Sequence, residues 1–245
     1  MARQLRLAHA REEVIADLLN RLAEKSHGFS SPKLVLIGGY ALRAFVPLSR
    51  STRDCDFALR KGQDWQIDRI RTWFSDLEVL TLEKRDDHGF MRCLKLIRIN
   101  DSTARVSLDF MEDKVVGRDM EEVINLDARF EGDAQNVRIT IANQPIDVVV
   151  PCYRDYFILK AVSARRSDIR DIAALVWKLG VPEVKPRLEE ILPYPDVFYR
   201  KVREVIIPDI EDTRFIHSWR GTFVTTAFSE QDKQNVIDEL RELCG

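Results

Sequence analysis

The 245-residue sequence predicts an α/β protein of two domains, with mixed helices and strands over 1–150 and helices alone over 151–245. Three observations lead to this prediction. A short apolar strand, a glycine pair, a helix and a second strand follow one another within 34–57. Strand-like runs then dominate up to 150. Beyond that point the apolar residues repeat with a helical period only, which places the domain boundary there.

The first elements of the chain alternate between helix and strand. Apolar residues recur at helical spacing over 4–25 and again over 63–77, so both segments are predicted to be amphipathic helices. Between them, the apolar run 34–37 predicts a short buried strand. A helix over 40–46 and a return strand over 53–57 complete this part of the prediction.

The middle of the chain reads as strands and the remainder as helices. The predicted strands are 78–83, 90–99, 104–110, 137–142 and 146–150. Polar residues at Asn100-Asp101-Ser102 predict a hairpin turn between the second and third of these strands. The predicted helices after the boundary are 153–164, 168–179 and 186–192, followed by several further segments to Leu243.

Composition excludes several classes of protein. A net charge of −2 argues against a protein that coats nucleic acid nonspecifically. No apolar run approaches the ~20 residues that span a bilayer, and the first residues lack the apolar core of a signal peptide, so we expect a cytoplasmic protein without membrane contact. The four cysteines and four histidines have no zinc-site spacing and no arrangement typical of nucleophilic catalysis.

An acidic pair in the second strand is the first candidate for chemistry. Alternate residues of a strand share a face, so Asp54 and Asp56 point one way while Cys55 and Phe57 point into the core. Neighbouring like charges repel, and a fold keeps such a pair mainly when a divalent cation neutralises it. The glycines at 38–39 allow backbone amides to approach a phosphate. The alternative is a solvated acidic pair at a loop–strand junction.

A glycine pair, a short helix and then Asp-x-Asp resemble the signature of the DNA-polymerase-β-type nucleotidyltransferase superfamily. This resemblance implies a polymerase-β-like mixed sheet with flanking helices. It implies that Asp54 and Asp56 bind Mg²⁺ (or Mn²⁺), and that Gly38 and Gly39 hold a nucleoside triphosphate (NTP). Arg53, directly before the acidic pair, is assigned to the same nucleotide-binding set.

A third acid, Asp109, lies among apolar residues of the predicted strand 104–110. An unpaired carboxylate in such surroundings would be costly, so Asp109 needs a partner. By the resemblance, an acid from a neighbouring strand joins the first pair around the metal ions, and Asp109 matches it in type and position. It would hold a second ion and help to remove the proton of the attacking hydroxyl. The alternative partner is Arg105 or a turn amide.

A second motif lies after the domain boundary. Lys160-x₄-Arg165 followed by Asp168-x-x-Asp171-Ile resembles the second half of the signature of the AbiEii/AbiGii-type nucleotidyltransferase toxins, which include the MenT toxins. The resemblance implies that Lys160 contacts nucleotide phosphate and that Asp171 completes the catalytic site, and we predict weaker help from Arg165 or Arg166. The alternatives are a surface lysine that snorkels, a solvated helix end at Arg165, and carboxylates that cap a helix start, which we favour for Asp168.

The two motifs together imply a function. The resemblance implies a Mg²⁺-dependent nucleotidyltransferase that transfers NMP from an NTP to an acceptor hydroxyl, such as the 3′ end of tRNA or another RNA. It also implies the toxin of a toxin–antitoxin pair, with a cognate antitoxin protein as partner. Tyr40 departs from the serine or threonine that usually follows the glycines. This departure keeps open a non-catalytic regulator that binds nucleotide or protein, and a protein phosphotransferase is a third reading.

Overall fold

A computed structural model describes residues 2–48, 50, 52–99 and 102–245. The chain forms two compact units. The first contains Met1–Ala44, Ser51–Val115 and Asn125–Cys152, and the second contains Phe45–Arg50, Val116–Ile124 and Tyr153–Gly245. The main chain therefore passes into the second unit after Cys152, and two short segments that the sequence placed in the first domain belong to the second unit.

The strands are centred on one large sheet. In chain order they are β1 (Val35–Ile37), β2 (Asp54–Leu59), β3 (Glu78–Lys84), β4 (Gly89–Ile99), β5 (Ser102–Glu112), β6 (Lys114–Val116), β7 (Val123–Asn125), β8 (Gln135–Ile141) and β9 (Gln144–Val150). Each predicted strand is present within a few residues, and the sequence patterns did not indicate β6 or β7. Of the predicted turn after β4, Asn100 and Asp101 lie outside the described residues.

The large sheet has seven strands in the order β3-β4-β5-β2-β1-β9-β8. The pairs β2–β5 and β1–β9 are parallel, and the other four neighbouring pairs are antiparallel. The sheet is therefore mixed, which confirms the predicted fold class. Strand β5 lies between β4 and β2 in this order. Residues of β2 and β5, which are far apart in sequence, are therefore neighbours in the centre of the sheet.

The helices of the first unit are short apart from the N-terminal one. They are α1 (Ala2–Lys25), α2 (Gly38–Ala41), α3 (Gln66–Arg71) and α4 (Ala128–Gly132). Helices α1 and α3 pack on the sheet, α1 through a buried face that includes Leu18 and Leu22. The predicted helix 40–46 is wrong in extent, since α2 starts at the glycines and continues as a 3₁₀ turn, Leu42–Ala44. The predicted helix 63–77 shortens to α3.

From Tyr153 onward the described chain contains helices and turns. The helices are α5 (Tyr153–Ser163), α6 (Arg166–Leu179), α7 (Lys185–Ile191), α8 (Asp196–Lys201), α9 (Ile207–Glu211), α10 (Phe215–Phe223) and α11 (Glu230–Leu243), with a π-helical turn between α8 and α9. The three predicted helices agree with α5, α6 and α7 within two residues. Trp177, Trp219 and Phe228 pack their rings together in the core of this unit. No described helix is long and apolar enough to cross a membrane.

Candidate functional site

The three predicted acids of the first unit lie on one face of the large sheet. Strands β2 and β5 run parallel, with Asp56 opposite Asp109 and Asp54 opposite Ser107. Residues at the same register of neighbouring strands point to the same face, and so do alternate residues of one strand. Asp54, Asp56 and Asp109 therefore project together, and we call these three side chains the acidic face.

Burial and charge follow this alternation. Asp54 is exposed and Asp56 half-buried, whereas Cys55 and Phe57 are buried in the core. The hydroxyl of Ser107 donates a 2.7 Å hydrogen bond to Asp54 Oδ1. Burial raises the pKa of the Cys55 thiol, and the negative charges of Asp56, Asp109 and Asp54 raise it further. The thiol thus remains protonated beneath the three carboxylates.

Asp109 is only 3% exposed, and its partner is Arg92 on β4. The two residues are directly opposite across β4–β5. Arg92 Nε donates to Asp109 Oδ1 at 2.8 Å and Nη2 donates to Oδ2, a bidentate pair. Neither the predicted Arg105 nor a turn amide fills this role. Arg105 is four residues along the same strand, about 13 Å away at ~3.3 Å per residue, whereas a cross-strand neighbour is within ~5.5 Å.

Arg92 is also influenced by the other two acids. Its hydrogen bond to Asp109 raises the pKa of Arg92, and the negative charges of Asp109, Asp54 and Asp56 add to this increase. The guanidinium therefore lies within electrostatic reach of the whole acidic face. The sequence patterns did not indicate Arg92.

The glycine turn lies directly against the acidic face. Gly38 has φ +71°, a left-handed conformation that side chains rarely adopt, and a Cβ at this position would clash with Asp56 Oδ2. Register also places Ile37, the last residue of β1, opposite Asp56. The positive φ and the close approach of Asp56 both favour glycine at position 38. The start of α2 therefore packs directly against β2. Gly39 follows as a buried residue of α2.

Tyr40 is a core residue. Its side chain is fully buried, its hydroxyl donates to the carbonyl of Thr52 at 3.4 Å, and the Arg43 guanidinium carbon lies 5.0 Å from its ring centroid. Burial raises the pKa of the Tyr40 hydroxyl. The residue thus ties α2 to the segment before β2 and does not present a hydroxyl beside the glycines. Arg53 is exposed, and its carbonyl accepts from Ser107 N at 3.2 Å.

Two of the three carboxylates of the acidic face have the chemistry of a magnesium site. Carboxylate oxygens are the donors that Mg²⁺ prefers, and Asp54 and Asp56 present two of these groups on the same face of β2. Asp109 differs, because both of its oxygens accept from Arg92. Within the described ranges, no three His, Cys, Asp or Glu side chains are grouped as a metal site. The fit is therefore to a site with two carboxylates.

The residues of the second motif meet in the interior of the helical unit. Lys160 on α5 contacts Asp168 Oδ1 at 2.7 Å and Asp171 Oδ2 at 2.8 Å, both on α6. Arg50 donates to both oxygens of Asp171, from Nε at 2.7 Å and from Nη2 at 2.8 Å. The hydroxyl of Ser163 donates to Asp168 at 2.8 Å. We call Lys160, Asp168, Asp171 and Arg50 the buried ion cluster.

Burial decides between the alternatives for these residues. Lys160 is 4% exposed, so it is not a solvated surface lysine. Asp168 binds Lys160 and Ser163 instead of capping α6, so the favoured capping role is wrong. Arg165 is the exposed N-cap residue of α6. The predicted roles of Lys160, Arg165 and Asp171 toward nucleotide remain predictions.

Electrostatics keeps the buried ion cluster charged. Burial lowers the pKa of Lys160, but the charges of Asp168 and Asp171 outweigh burial and raise it overall. Burial raises the pKa of Asp168, but Lys160 and Ser163 outweigh it and lower the pKa below its ordinary value. The pKa of Arg50 is raised, because its bond to Asp171 outweighs the effect of burial. Arg50 was also not indicated by the sequence patterns.

Comparison with known proteins identifies similar chains. A family model described as "Nucleotidyltransferase of unknown function (DUF6036)" matches residues 13–204. A candidate nucleotidyltransferase from H. pylori is 11% identical, with 94% of each chain covered and a TM-score of 0.49. JHP933 from Helicobacter pylori is 14% identical, with 93% of this chain and 90% of that one covered and a TM-score of 0.45. No curated protein matches the chain.

Proposed function

The chain belongs to the family of nucleotidyltransferases of unknown function, DUF6036, and on that premise we propose that it transfers NMP from an NTP to an acceptor hydroxyl and releases pyrophosphate. One observation carries the proposal. Asp54, Asp56 and Asp109 project from one face of two parallel neighbouring strands, and the Asp56 carboxylate lies directly against the backbone of Gly38. Phosphoryl transfer is mostly positioning and charge neutralisation, so clustered acids with metal suffice without a dedicated nucleophile.

Each part of the acidic face has a role in this proposal. Asp54 and Asp56 would hold Mg²⁺ (or Mn²⁺), which when bound neutralises triphosphate charge. The turn at Gly38 and Gly39 brings backbone close to the acids, where it would cradle the triphosphate. The role of Asp109 in removing the proton of the attacking hydroxyl stays a prediction, since its oxygens accept from Arg92.

The finer assignment rests on the resemblance to the AbiEii/AbiGii-type toxins. It makes the acceptor an RNA, such as the 3′ end of tRNA, and gives the enzyme an antitoxin partner. Lys160 and Asp171 belong to the motif that supports this assignment, and they bind one another inside the helical unit. That contact favours a role in holding α5 and α6 together over direct contact of Lys160 with phosphate.

A labelling experiment tests the proposal. The purified protein is incubated with each NTP, labelled in the α-phosphate, together with total RNA and either Mg²⁺ or Mn²⁺. We expect labelled RNA from the wild type and none from the Asp54→Asn/Asp56→Asn double variant. Asp147→Asn is the matched control, because Asp147 is an exposed carboxylate of the same sheet, paired with Arg138.

The possible results separate the competing functions. Label retained by the double variant contradicts the metal assignment. In a parallel incubation with NTP labelled in the γ-phosphate, transfer of label to protein would identify a phosphotransferase. NTP binding without transfer of the α-label or the γ-label would indicate a non-catalytic regulator.

A further inference from the structure

Arg92 is the basic residue that the structure brings to the acidic face, and the mechanism above gives it no role. We infer that Arg92 is a built-in cation of the nucleotidyl-transfer site, held by Asp109 in the place of a second metal ion. The acidic face then binds one divalent cation, through Asp54 and Asp56. This inference rests on the proposed function and specifies how its site is charged.

The geometry of the pair supports a permanent cation. Arg92 and Asp109 are directly opposite within the long β4–β5 pairing, so their backbones are fixed relative to one another. The bond is bidentate, with a carboxylate whose side chain is 4% exposed and a guanidinium whose side chain is 45% exposed. The guanidinium carbon also lies 5.5 Å from the ring centroid of Phe90, two residues along the same strand face. Arg92 is thus anchored on one side and open to solvent on the other.

The pairing of Asp109 limits the number of metal ions. Both Asp109 oxygens accept from Arg92, so Asp54 and Asp56 are the carboxylates of the acidic face that would hold a divalent cation. A second ion at Asp109 would have to displace the guanidinium or lie against it, and adjacent like charges repel. Arg92 therefore opposes a second ion at this carboxylate.

Arg92 also has unused donors. A guanidinium has five N–H groups, and Asp109 takes two of them, leaving others for additional acceptors. Arginine is the side chain that best matches phosphate oxygens. Arg92 can therefore contribute positive charge and hydrogen bonds to a bound triphosphate, which a second metal ion would otherwise supply.

Counting bound metal ions tests the inference. The full-length protein is titrated with Mn²⁺, and free Mn²⁺ is followed by electron paramagnetic resonance. We expect one ion per chain for the wild type and none for Asp56→Asn. We expect two ions for Arg92→Gln, whose amide can still donate to Asp109 without carrying charge. Lys95→Gln is the matched control, because it removes one positive charge from β4 three residues away, on the opposite strand face, and should retain one ion.

A second variant keeps the test decisive if Arg92→Gln does not fold. Asp109→Asn retains an acceptor for Arg92 and, by the inference, still binds one ion, because Asp109 is not a ligand. Loss of the ion in this variant overturns the inference, as do two ions in the wild type. No ion in the wild type overturns it together with the metal assignment.

The transfer assay separates the inference from the proposed function. If the wild type binds two ions and transfers label, the proposed function is retained and the role of Arg92 as a substitute for the second ion is rejected. One ion without transfer rejects the proposed function and leaves Arg92 as the cation of a metal-binding site.

Discussion

The acidic face and the buried ion cluster both combine aspartates with basic side chains, but in different ratios. On the acidic face three carboxylates meet one guanidinium, and two of the carboxylates are at least partly exposed. In the buried ion cluster two carboxylates meet two cations, Lys160 and Arg50, and every charge has a close partner. Among these named groups, carboxylates outnumber cations on the acidic face and equal them in the buried ion cluster.

This difference indicates a ligand-binding role for the acidic face and a structural role for the buried ion cluster. A charge inside a protein must be paired, and removing one partner of a buried pair is strongly destabilising. The buried ion cluster therefore joins α5 and α6, and through Arg50 it fixes the segment Phe45–Arg50 to the helical unit. The acidic face instead has the carboxylates of Asp54 and Asp56 at least partly exposed, where a divalent cation can reach them.

The largest expected effect follows from removing charge on the acidic face. For Asp56→Asn we expect NMP transfer to fall about a thousandfold, since loss of metal-assisted charge stabilisation costs several kcal/mol of transition-state energy. The unfolding midpoint should stay the same or rise, because two like charges no longer repel. Initial rates and thermal unfolding of the same preparation measure both quantities. A clear loss of stability with full activity would make Asp56 a structural residue.

The matching change in the buried ion cluster should have the reverse outcome. Lys160→Met removes the cation between Asp168 and Asp171, and we expect it to cost about 3–5 kcal/mol of unfolding free energy. Denaturant unfolding followed by circular dichroism measures this cost. Lys185→Met, at an exposed lysine of the same unit, is the control and should be neutral.

The same variant tests the sequence-based role of Lys160. A lysine that binds triphosphate would leave stability unchanged and weaken NTP binding by about 1.5–3 kcal/mol, as expected for a charge-assisted contact. NTP titration of the folded variant separates the two roles. That result would place Lys160 in the nucleotide site despite its burial.

Local patterns were sufficient to predict the parts of the molecule that depend on neighbouring residues. The alternation around Asp54 and Asp56 correctly predicted that Cys55 would be buried, because a strand has a strict two-residue period. Helical periodicity similarly located α5 and α6. It did not show that α2 begins at the glycines and continues as a 3₁₀ turn.

Contacts between distant residues could not be read in the same way. Arg50 and Asp171 are 121 positions apart, and no local pattern connects them. Arg92 was closer to being predictable, since β4 and β5 pair in a continuous register from Ile99 opposite Ser102 to Arg92 opposite Asp109. The predicted turn at Asn100-Asp101-Ser102 locates the hairpin along the chain but does not determine which residues face one another across it. Tertiary register, not residue type, thus determines the partner of Asp109.

A glycine substitution should have a smaller effect that still distinguishes the acidic face from its surroundings. Gly38→Ala and Gly28→Ala both place a side chain at a φ near +70°, and each should cost about 1–2 kcal/mol of stability. Only at Gly38 would the new Cβ also displace Asp56, since the space around Gly28 is open. We therefore expect transfer to fall about a hundredfold for Gly38→Ala alone, because small misplacements at a reacting centre have effects of that size. Equal activity of the two variants would show that the position of Asp56 does not matter.

The smallest expected effect is a lack of pH dependence in the buried ion cluster. The pKa of Asp168 lies below its ordinary 3.8, so its contribution to stability is present above that value and is lost as the pH falls through the folded pKa. The pKa of Lys160 lies above its ordinary 10.5, so its contribution is present below that value and is lost as the pH rises through the folded pKa. Between about pH 5 and about pH 9 neither group titrates in the folded or the unfolded chain. The difference in unfolding free energy between the wild type and Lys160→Met/Asp168→Asn should thus be constant across this range, as measured by denaturant unfolding at several pH values. A difference that changes within this range would mean that one of the two groups is not held in its charged form, and the contrast with the acidic face would lose its basis.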